Sequence, residues 1–313
     1  MKISINRPIH KHGLLLFLLL WVVLVSCDDF SQDSGKLKIV TTTTILTDLV
    51  KNIGGDSVEV RGLMGPGVDP HLFKASEGDV SKLYYAELII YNGLHLEGKL
   101  VDVFDKMRHW DKSTVSLGEA LPKEELIRSE QFGGNYDPHV WFNIRFFKKF
   151  ADRVAEALSE HDPENKDYYR ANHARYVKEL DDLDQELREI IQTLPEERRI
   201  LVTAHDAFSY FGREFGFQVV GLQGISTATE AGVRDVRRLT DFIIEHDIKA
   251  IFIESSMPRR TVEALQAAVR ARNHEVRIGG TIFSDALGSE GTPEGTYAGM
   301  FRYNVNTLVE ALR

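Results

Sequence analysis

The sequence predicts an α/β fold: two similar lobes with parallel sheets, joined by one long backbone helix, with the ligand site between the lobes. Three observations predict it. β-rich apolar runs alternate with amphipathic helical segments, which is the signature of parallel sheets. The two halves of the chain echo each other. A single long apolar stripe of helical period separates the echoes.

The elements follow in order. Leu37 to Thr42 is a β-rich run, and Ile45 to Ile53 reads as a helix stopped by Gly54-Gly55. Val58 to Met64 is a second strand, and Ala86 to Tyr91 a third, ending in Asn92-Gly93. Ile200 to Thr203 restarts the alternation, followed by strands at Phe217 to Leu222, Ala250 to Ile253 and Glu275 to Ile278. Val40-Thr41 before a helix matches Val202-Thr203 before a helix, and Gly62-Leu63-Met64-Gly65 matches Gly221-Leu222-Gln223-Gly224. Between the halves, Asp162-Pro163 supplies a helix N-cap and a proline at the first helical position. Tyr176, Val177, Leu180, Leu183, Leu187, Ile190, Ile191 and Leu194 then form the stripe, and Pro195 ends it. The predicted division is a lobe over 37–161, a linking helix over 162–195 and a lobe over 196–313.

The N-terminus reads as a targeting segment. Lys2, Arg7 and Lys11 precede an apolar run from Leu14 to Leu24. That run has the length of a signal-peptide core and is short of the roughly 20 residues of a spanning helix. It ends in Leu24-Val25-Ser26-Cys27, which resembles the lipobox of bacterial lipoproteins, where the cysteine thiol is acylated and becomes the new N-terminus. Residues 1–26 are thus read as a signal peptide and 27–36 as a polar tether. Lipid chains on Cys27 would hold a soluble body at a membrane without spanning it, exported to the periplasm or the cell surface. Cys27 is the only cysteine, so the mature chain has no disulfide. The formal net charge of −9 becomes −12 once the three leader cations are removed. Such an acidic body disfavours nucleic acid and suits cations.

Four segments place a metal-type side chain after an apolar strand or in a loop: Val68-Asp69-Pro70-His71, Asp137-Pro138-His139-Val140-Trp141, Val202-Thr203-Ala204-His205-Asp206 and Phe283-Ser284-Asp285-Ala286. In open α/β sheets, ligands bind in the crevice at the carboxyl ends of the strands. Two segments come from each half, so a site between the lobes can draw on all four. Neutral imidazole is the commonest metal ligand, and a carboxylate adds charge compensation. Three imidazoles and a carboxylate close a tetrahedral zinc site, and a carboxylate binding through both oxygens extends the set to manganese. Asp69, Asp137 and Asp206 read most simply as caps of turns or helices, with Asp137 also placed to support a ligand from behind. Glu254, ending an apolar strand, is either a ligand or a hydrogen-bonding group beside the cleft, and the second reading is preferred. His95 and His109 lie in turn or helix contexts, and His161, His173, His246 and His274 among charged residues. All six read as solvent-exposed.

Taken together, Asp69-Pro70-His71, Asn92-Gly93-Leu94-His95-Leu96-Glu97, Asp137-Pro138-His139-Val140-Trp141, His205-Asp206-Ala207-Phe208-Ser209-Tyr210-Phe211, Gly224-Ile225-Ser226-Thr227, Phe252-Ile253-Glu254-Ser255-Ser256 and Ser284-Asp285-Ala286-Leu287-Gly288 resemble the TroA-like substrate-binding proteins of bacterial manganese/zinc ABC importers. The resemblance covers nearly the whole mature chain. It implies two lobes, a backbone helix, and one divalent ion, zinc or manganese, held by His71, His139, His205 and Asp285. It also implies a membrane permease and its ATPase as partners, and a monomeric carrier without catalytic turnover. His205 stands where the family uses His or Glu, and His is the choice of its zinc importers. The acidic segment from Lys123 to Gln131 lacks the histidines of many zinc-dedicated members. Two other readings are a metal-dependent hydrolase and a surface adhesin as an added role. The first would want an open coordination position and a general base, and the sequence holds no His-Glu-x-x-His helix. Three imidazole ligands also predict that metal retention falls on acidification below about pH 6.

Overall fold

The computed structural model describes residues 35–313. The signal-peptide reading of 1–26, the Cys27 acylation site and the tether as far as Ser34 lie outside the described residues. The first β-branched run becomes β1 (Leu37–Thr41). It is an inner strand, which accounts for its nearly unbroken apolar character. β2 (Val58–Gly62) flanks it on one side and β3 (Leu88–Tyr91) on the other, and β4 (Ser113–Ser116) lies beyond β3. The sheet order is β2-β1-β3-β4 with every pair parallel. The sequence reading does not contain β4. Its residues, Ser-Thr-Val-Ser, form a short edge strand that carries little of the apolar signal of an inner one.

The crossovers are helices with recognisable ends. In α1 (Thr44–Gly54) the Thr43 hydroxyl accepts from the Leu46 N–H, and Gly55 at φ 53° closes the helix. α2 (Glu77–Tyr85) opens with a capping box in which Ser76 and Asp79 satisfy each other's backbone. α3 (Val101–His109) leads to β4, and α4 (Ile144–His161) is capped by Asn143.

The linking helix differs from the expectation at its start. Pro163 opens a short 3-10 turn, Pro163–Asn165, and α5 runs from Lys166 to Gln192. Asp162 does not cap it. The Asp162 carboxylate accepts instead from Asn165 Nδ2 at 2.8 Å and Tyr169 Oη at 2.5 Å. The 27 residues of α5 make a rod of about 40 Å. Tyr169, Tyr176, Leu180, Leu183, Leu187 and Ile191 are its buried stripe, while Val177 and Ile190 are half-buried. The rod packs against α1 and α4 and against the last helix of the chain, α9 (Tyr297–Leu312).

In the second half β5 (Ile200–His205) leads through α6 (Ser209–Phe215) to β6 (Gln218–Gln223). Then come α7 (Val233–Glu245), β7 (Ala250–Glu254), α8 (Arg259–Arg270) and β8 (Arg277–Ile282), the last starting two residues later than expected. β5 pairs with β6 and β7 with β8, both parallel, and β5 lies beside β7. β5–β6 and β7–β8 are two separate pairs, yet their spatial order β6-β5-β7-β8 follows the β2-β1-β3-β4 order of the first sheet. The echo between the halves is structural.

Burial joins the parts. One large apolar core runs from the first sheet through α1, α4 and α5 into α6 and α9, and a smaller one fills the space between β5–β8, α7 and α8. The large core carries a stack of aromatics where the halves meet, with Phe147 flat on Tyr297 at 3.8 Å and Phe142 against Phe208 at 4.5 Å.

Candidate metal centre

His71 and His139 are placed by the same local device. Each follows Asp-Pro, and in each the aspartate Oδ1 accepts the histidine backbone N–H at 2.9 Å, closing a tight turn. His205 is the last residue of β5 and Glu254 the last of β7. The two strand ends are tied there, with His205 N–H donating to Glu254 Oε1 at 2.8 Å. Asp285 lies in the loop after β8, where Ser256 Oγ donates to its Oδ2 at 3.1 Å.

These four side chains converge. His139 Nε2 lies 3.3 Å from His71 Nε2, 3.4 Å from His205 Nε2 and 3.4 Å from Asp285 Oδ1, and His205 Nε2 lies 3.5 Å from Asp285 Oδ2. All four residues are buried, and one donor atom from each lies within 4.8 Å of the others. Bonds of 2.0–2.1 Å from a tetrahedral ion set its ligands about 3.3–3.4 Å apart, close to the separations of His139 Nε2 from the other three residues, while the whole set lies within 4.8 Å. Asp285 Oδ1 is buried with no hydrogen-bond donor among the described residues. A cation is the partner that such an atom and three converging imidazole nitrogens fit.

A second layer of carboxylates backs two of the rings. Asp137 Oδ1 lies 2.7 Å from His139 Nδ1, and Glu254 Oε2 lies 2.6 Å from His205 Nδ1. A carboxylate on the far nitrogen fixes the ring orientation and raises ligand basicity. The electrostatics follow. Burial opposes charge on His139, but Asp137 and Asp285 outweigh it and hold the ring up at about 9. For His205 burial is likewise overcome, by Glu254 and Asp285, and its value lies well above the ordinary one. Burial would raise Asp285, yet His205 and His139 hold it well below the usual carboxylate range. His71 has no such backing, and burial pushes it down to about 3.

The other aspartates and histidines divide. Asp206 accepts from Ser209 Oγ at 2.8 Å, but no side chain caps α6, so the expected capping role is not what its carboxylate does there. Asp69 does more than cap, because its Oδ2 accepts from Thr227 Oγ1 of the second half at 2.6 Å. His95, His109 and His246 are exposed as expected. His161, His173 and His274 are half-buried instead. His161 bridges the Ala157 carbonyl and Ser113 Oγ at 2.8 Å each, and His173 meets Asp152 Oδ1 at 2.9 Å.

Glu97 and Asn92 are supports whose role the sequence reading did not assign. Glu97 is buried, accepting from Thr42 Oγ1 at 2.6 Å, Asn92 N–H at 2.8 Å and Gly93 N–H at 3.0 Å. Asn92 Nδ2 donates to the carbonyl of Pro138, the residue before His139, at 3.1 Å. The available signal was a glutamate shortly after an apolar strand, where a buried carboxylate must find several donors. Trp141 pins the other side. Its Nε1 donates to the Ser284 carbonyl at 3.0 Å, beside Asp285, and its own carbonyl accepts from Tyr297 Oη at 2.7 Å.

An α/β body with two matching halves and a buried set of three imidazoles and one carboxylate between them defines a metal-binding protein. The chain belongs to the family described as zinc-uptake complex component A, periplasmic, whose model matches residues 39–311. It is 46% identical over 278 residues to the manganese-binding lipoprotein MntA of Bacillus subtilis, covering 89% of this chain and 90% of that one. It is 48% identical over 278 residues to the zinc-binding protein TroA of Treponema pallidum, with 89% of each chain covered. The solved structure of that periplasmic zinc-binding protein superposes with a TM-score of 0.86, covering 89% of this chain and 99% of the other. The metal ABC transporter substrate-binding lipoprotein FimA of Streptococcus parasanguinis is 32% identical over 308 residues, covering 96% and 97%.

Proposed function

We propose that this protein captures one zinc or manganese ion outside the cytoplasmic membrane and delivers it to an ABC permease driven by a cytoplasmic ATPase. The carrying observation is the buried quartet of His71, His139, His205 and Asp285, whose donor atoms converge within 4.8 Å of one another. In this reading these four are the ligands, and Asp137 and Glu254 hold His139 and His205 from behind. Residues 37–161 and 196–313 are the lobes that enclose the ion, with 162–195 as the backbone between them. The relatives' names, one manganese-binding, one zinc-binding and two lipoproteins among them, support both the cargo class and the anchor. His205 favours zinc on the sequence argument. The similarity to a manganese-named relative is as high as that to the zinc-named one.

Cys27 is the acylation site in this reading, and the processed protein is an exported, membrane-anchored monomer. Among the described residues no helix is long and apolar enough to cross a membrane. The deciding experiment is elemental analysis of protein purified from its native host, paired with growth of a deletion strain under zinc or manganese limitation. One equivalent of metal, and a growth defect rescued by that metal, is the expected result. Purified protein with no bound metal, and a deletion strain indifferent to both metals, would refute the reading. For the anchor, Cys27→Ser should move the protein out of the detergent phase. Unchanged partitioning would rule out the lipobox.

A further inference from the structure

The end of the first sheet away from the metal carries a feature that metal capture does not use. Tyr84, Tyr85, Trp110 and Tyr168 are 46%, 53%, 49% and 41% exposed. All lie near the amino ends of strands. Tyr85 closes α2 just before β3, and Trp110 follows α3 just before β4. Tyr168 Oη accepts from the N–H of Asp56, two residues ahead of β2, at 3.4 Å. The Tyr84 ring meets Tyr85 at 5.4 Å and Trp110 at 5.6 Å, both edge-on, and Lys112 Nζ stands 4.9 Å over it. Exposed apolar surface gathered on one edge of a soluble body marks an interaction site.

The chain enters the described body in the middle of this rim. Gly35 leads into β1, the strand between β2 and β3. The entry is fastened next to Tyr85, because Lys38 N–H donates to Glu87 Oε2 and Glu87 N–H to the Lys38 carbonyl, each at 2.9 Å. Cys27 precedes Gly35 by eight residues, which span at most about 28 Å when fully extended. His205 and Glu254, by contrast, end their strands at the carboxyl side, and β2 must be followed to its far end to reach His71.

We propose that the rim of Tyr84, Tyr85, Trp110 and Tyr168 rests in the headgroup interface of the phospholipid bilayer, holding the metal mouth away from the lipid. The inference rests on the acylation of Cys27 proposed above. A lipid on that residue keeps this rim within a few nanometres of the bilayer. Tyr and Trp, with a lysine stem alongside, are the side chains that partition to that interface, the ring in the apolar zone and the polar tip in water. Charges of both signs border the rim: Asp111 and Lys112 follow Trp110, Glu87 follows Tyr85 by two residues beside Lys38, and Asp56 adjoins Tyr168. The contact therefore requires no anionic lipid, and a phosphatidylcholine surface suffices.

The test uses the full processed chain, acylated, in phosphatidylcholine vesicles carrying bromine on the upper acyl chain. Trp110 is the exposed tryptophan of the described residues, and Trp141 is buried. Trp110 emission should fall by about half relative to unbrominated vesicles, as for an interfacial aromatic. A Trp110→Phe variant should lose that quenching and report the constant Trp141 background. Tyr84→Ser combined with Tyr85→Ser should recover most of the emission while leaving the metal-induced rise in melting temperature unchanged. Protein that does not float with the vesicles overturns the anchor and this inference together. Protein that floats while Trp110 stays unquenched overturns this inference alone. So does Trp110 protection that needs high protein concentration without vesicles, the mark of a second copy, or that needs added permease.

Discussion

His71 and His139 follow the same Asp-Pro pair, and the fold makes them opposite acids. In both, the aspartate Oδ1 takes the histidine N–H at 2.9 Å. Asp137 then also reaches the His139 ring at 2.7 Å, whereas the second oxygen of Asp69 turns away to Thr227. Burial, joined by repulsion from His139 and His205, then outweighs the help from Asp285 and pushes His71 down to about 3, while Asp137 and Asp285 overcome burial at His139, held up at about 9. A repeated motif thus fixes where a ring sits without fixing its charge. Without a metal, burial favours the neutral form of His71, while the carboxylates around His139 and His205 favour their imidazolium forms.

The largest effect that can break this comparison is the pH dependence of affinity. The raised values mean that the ion must expel protons at any pH below about 9. Affinity should therefore fall as pH falls, by on the order of ten-thousandfold from pH 8 to pH 6 if two protons leave per ion. Chelator competition across that range measures it, with proton release read by calorimetry in two buffers. Imidazoles of ordinary value, near 6.5, would instead give a profile that flattens above about pH 7. The metal-induced rise in melting temperature should accordingly be larger at pH 7.5 than at pH 5. In the metal-free chain, charged His139 stabilises the fold below its unfolded value and the contribution is lost as pH rises through about 9.

Removing a ligand comes next. Alanine at His71, His139, His205 or Asp285 should weaken binding by about a thousandfold, one share of the roughly 10–16 kcal/mol of a four-ligand zinc site. Asp137→Asn and Glu254→Gln should cost about 10–100-fold and also reduce the number of protons released, because they remove the charges that hold those protons. Asp69→Asn should cost about tenfold or less with the proton count unchanged, since no ring depends on it. A loss of protons in this variant would show that the two Asp-Pro-His turns are equivalent after all. His95→Ala and His109→Ala, both at exposed positions, should leave affinity within about twofold.

Much of this was legible in the sequence. The inner strands announce themselves as apolar runs, and the four convergent side chains sit in segments that the alternating pattern places at strand ends or in adjoining loops. What was hidden depends on pairing across the fold. Nothing in Ser113-Thr114-Val115-Ser116 says that it will join β3, because an edge strand needs backbone partners more than apolar side chains. His161 stands among charged residues in the chain, yet it meets Ser113 Oγ across 48 positions. For Glu254 the sequence favours a hydrogen-bonding group over a ligand, and its partner, the far nitrogen of His205 at 2.6 Å, appears only in the fold. Asp69 turns its second oxygen to Thr227, whereas in Asp137 the oxygen that takes the backbone N–H also meets the His139 ring, a difference the Asp-Pro-His motif does not encode.

The Asp69–Thr227 hydrogen bond also sets an order of departure. His71 is posted on a loop whose aspartate holds on to the opposite half, and its own ring lacks a carboxylate brace. His139 and His205 are braced from behind, and Trp141 and Tyr297 stitch the floor beneath them. Prising the mouth apart by the length of one hydrogen bond releases that loop while the floor stays intact. If the four residues hold the ion as proposed, it would then keep His139, His205 and Asp285 and offer one bare side where the next set of oxygen or nitrogen atoms can take hold.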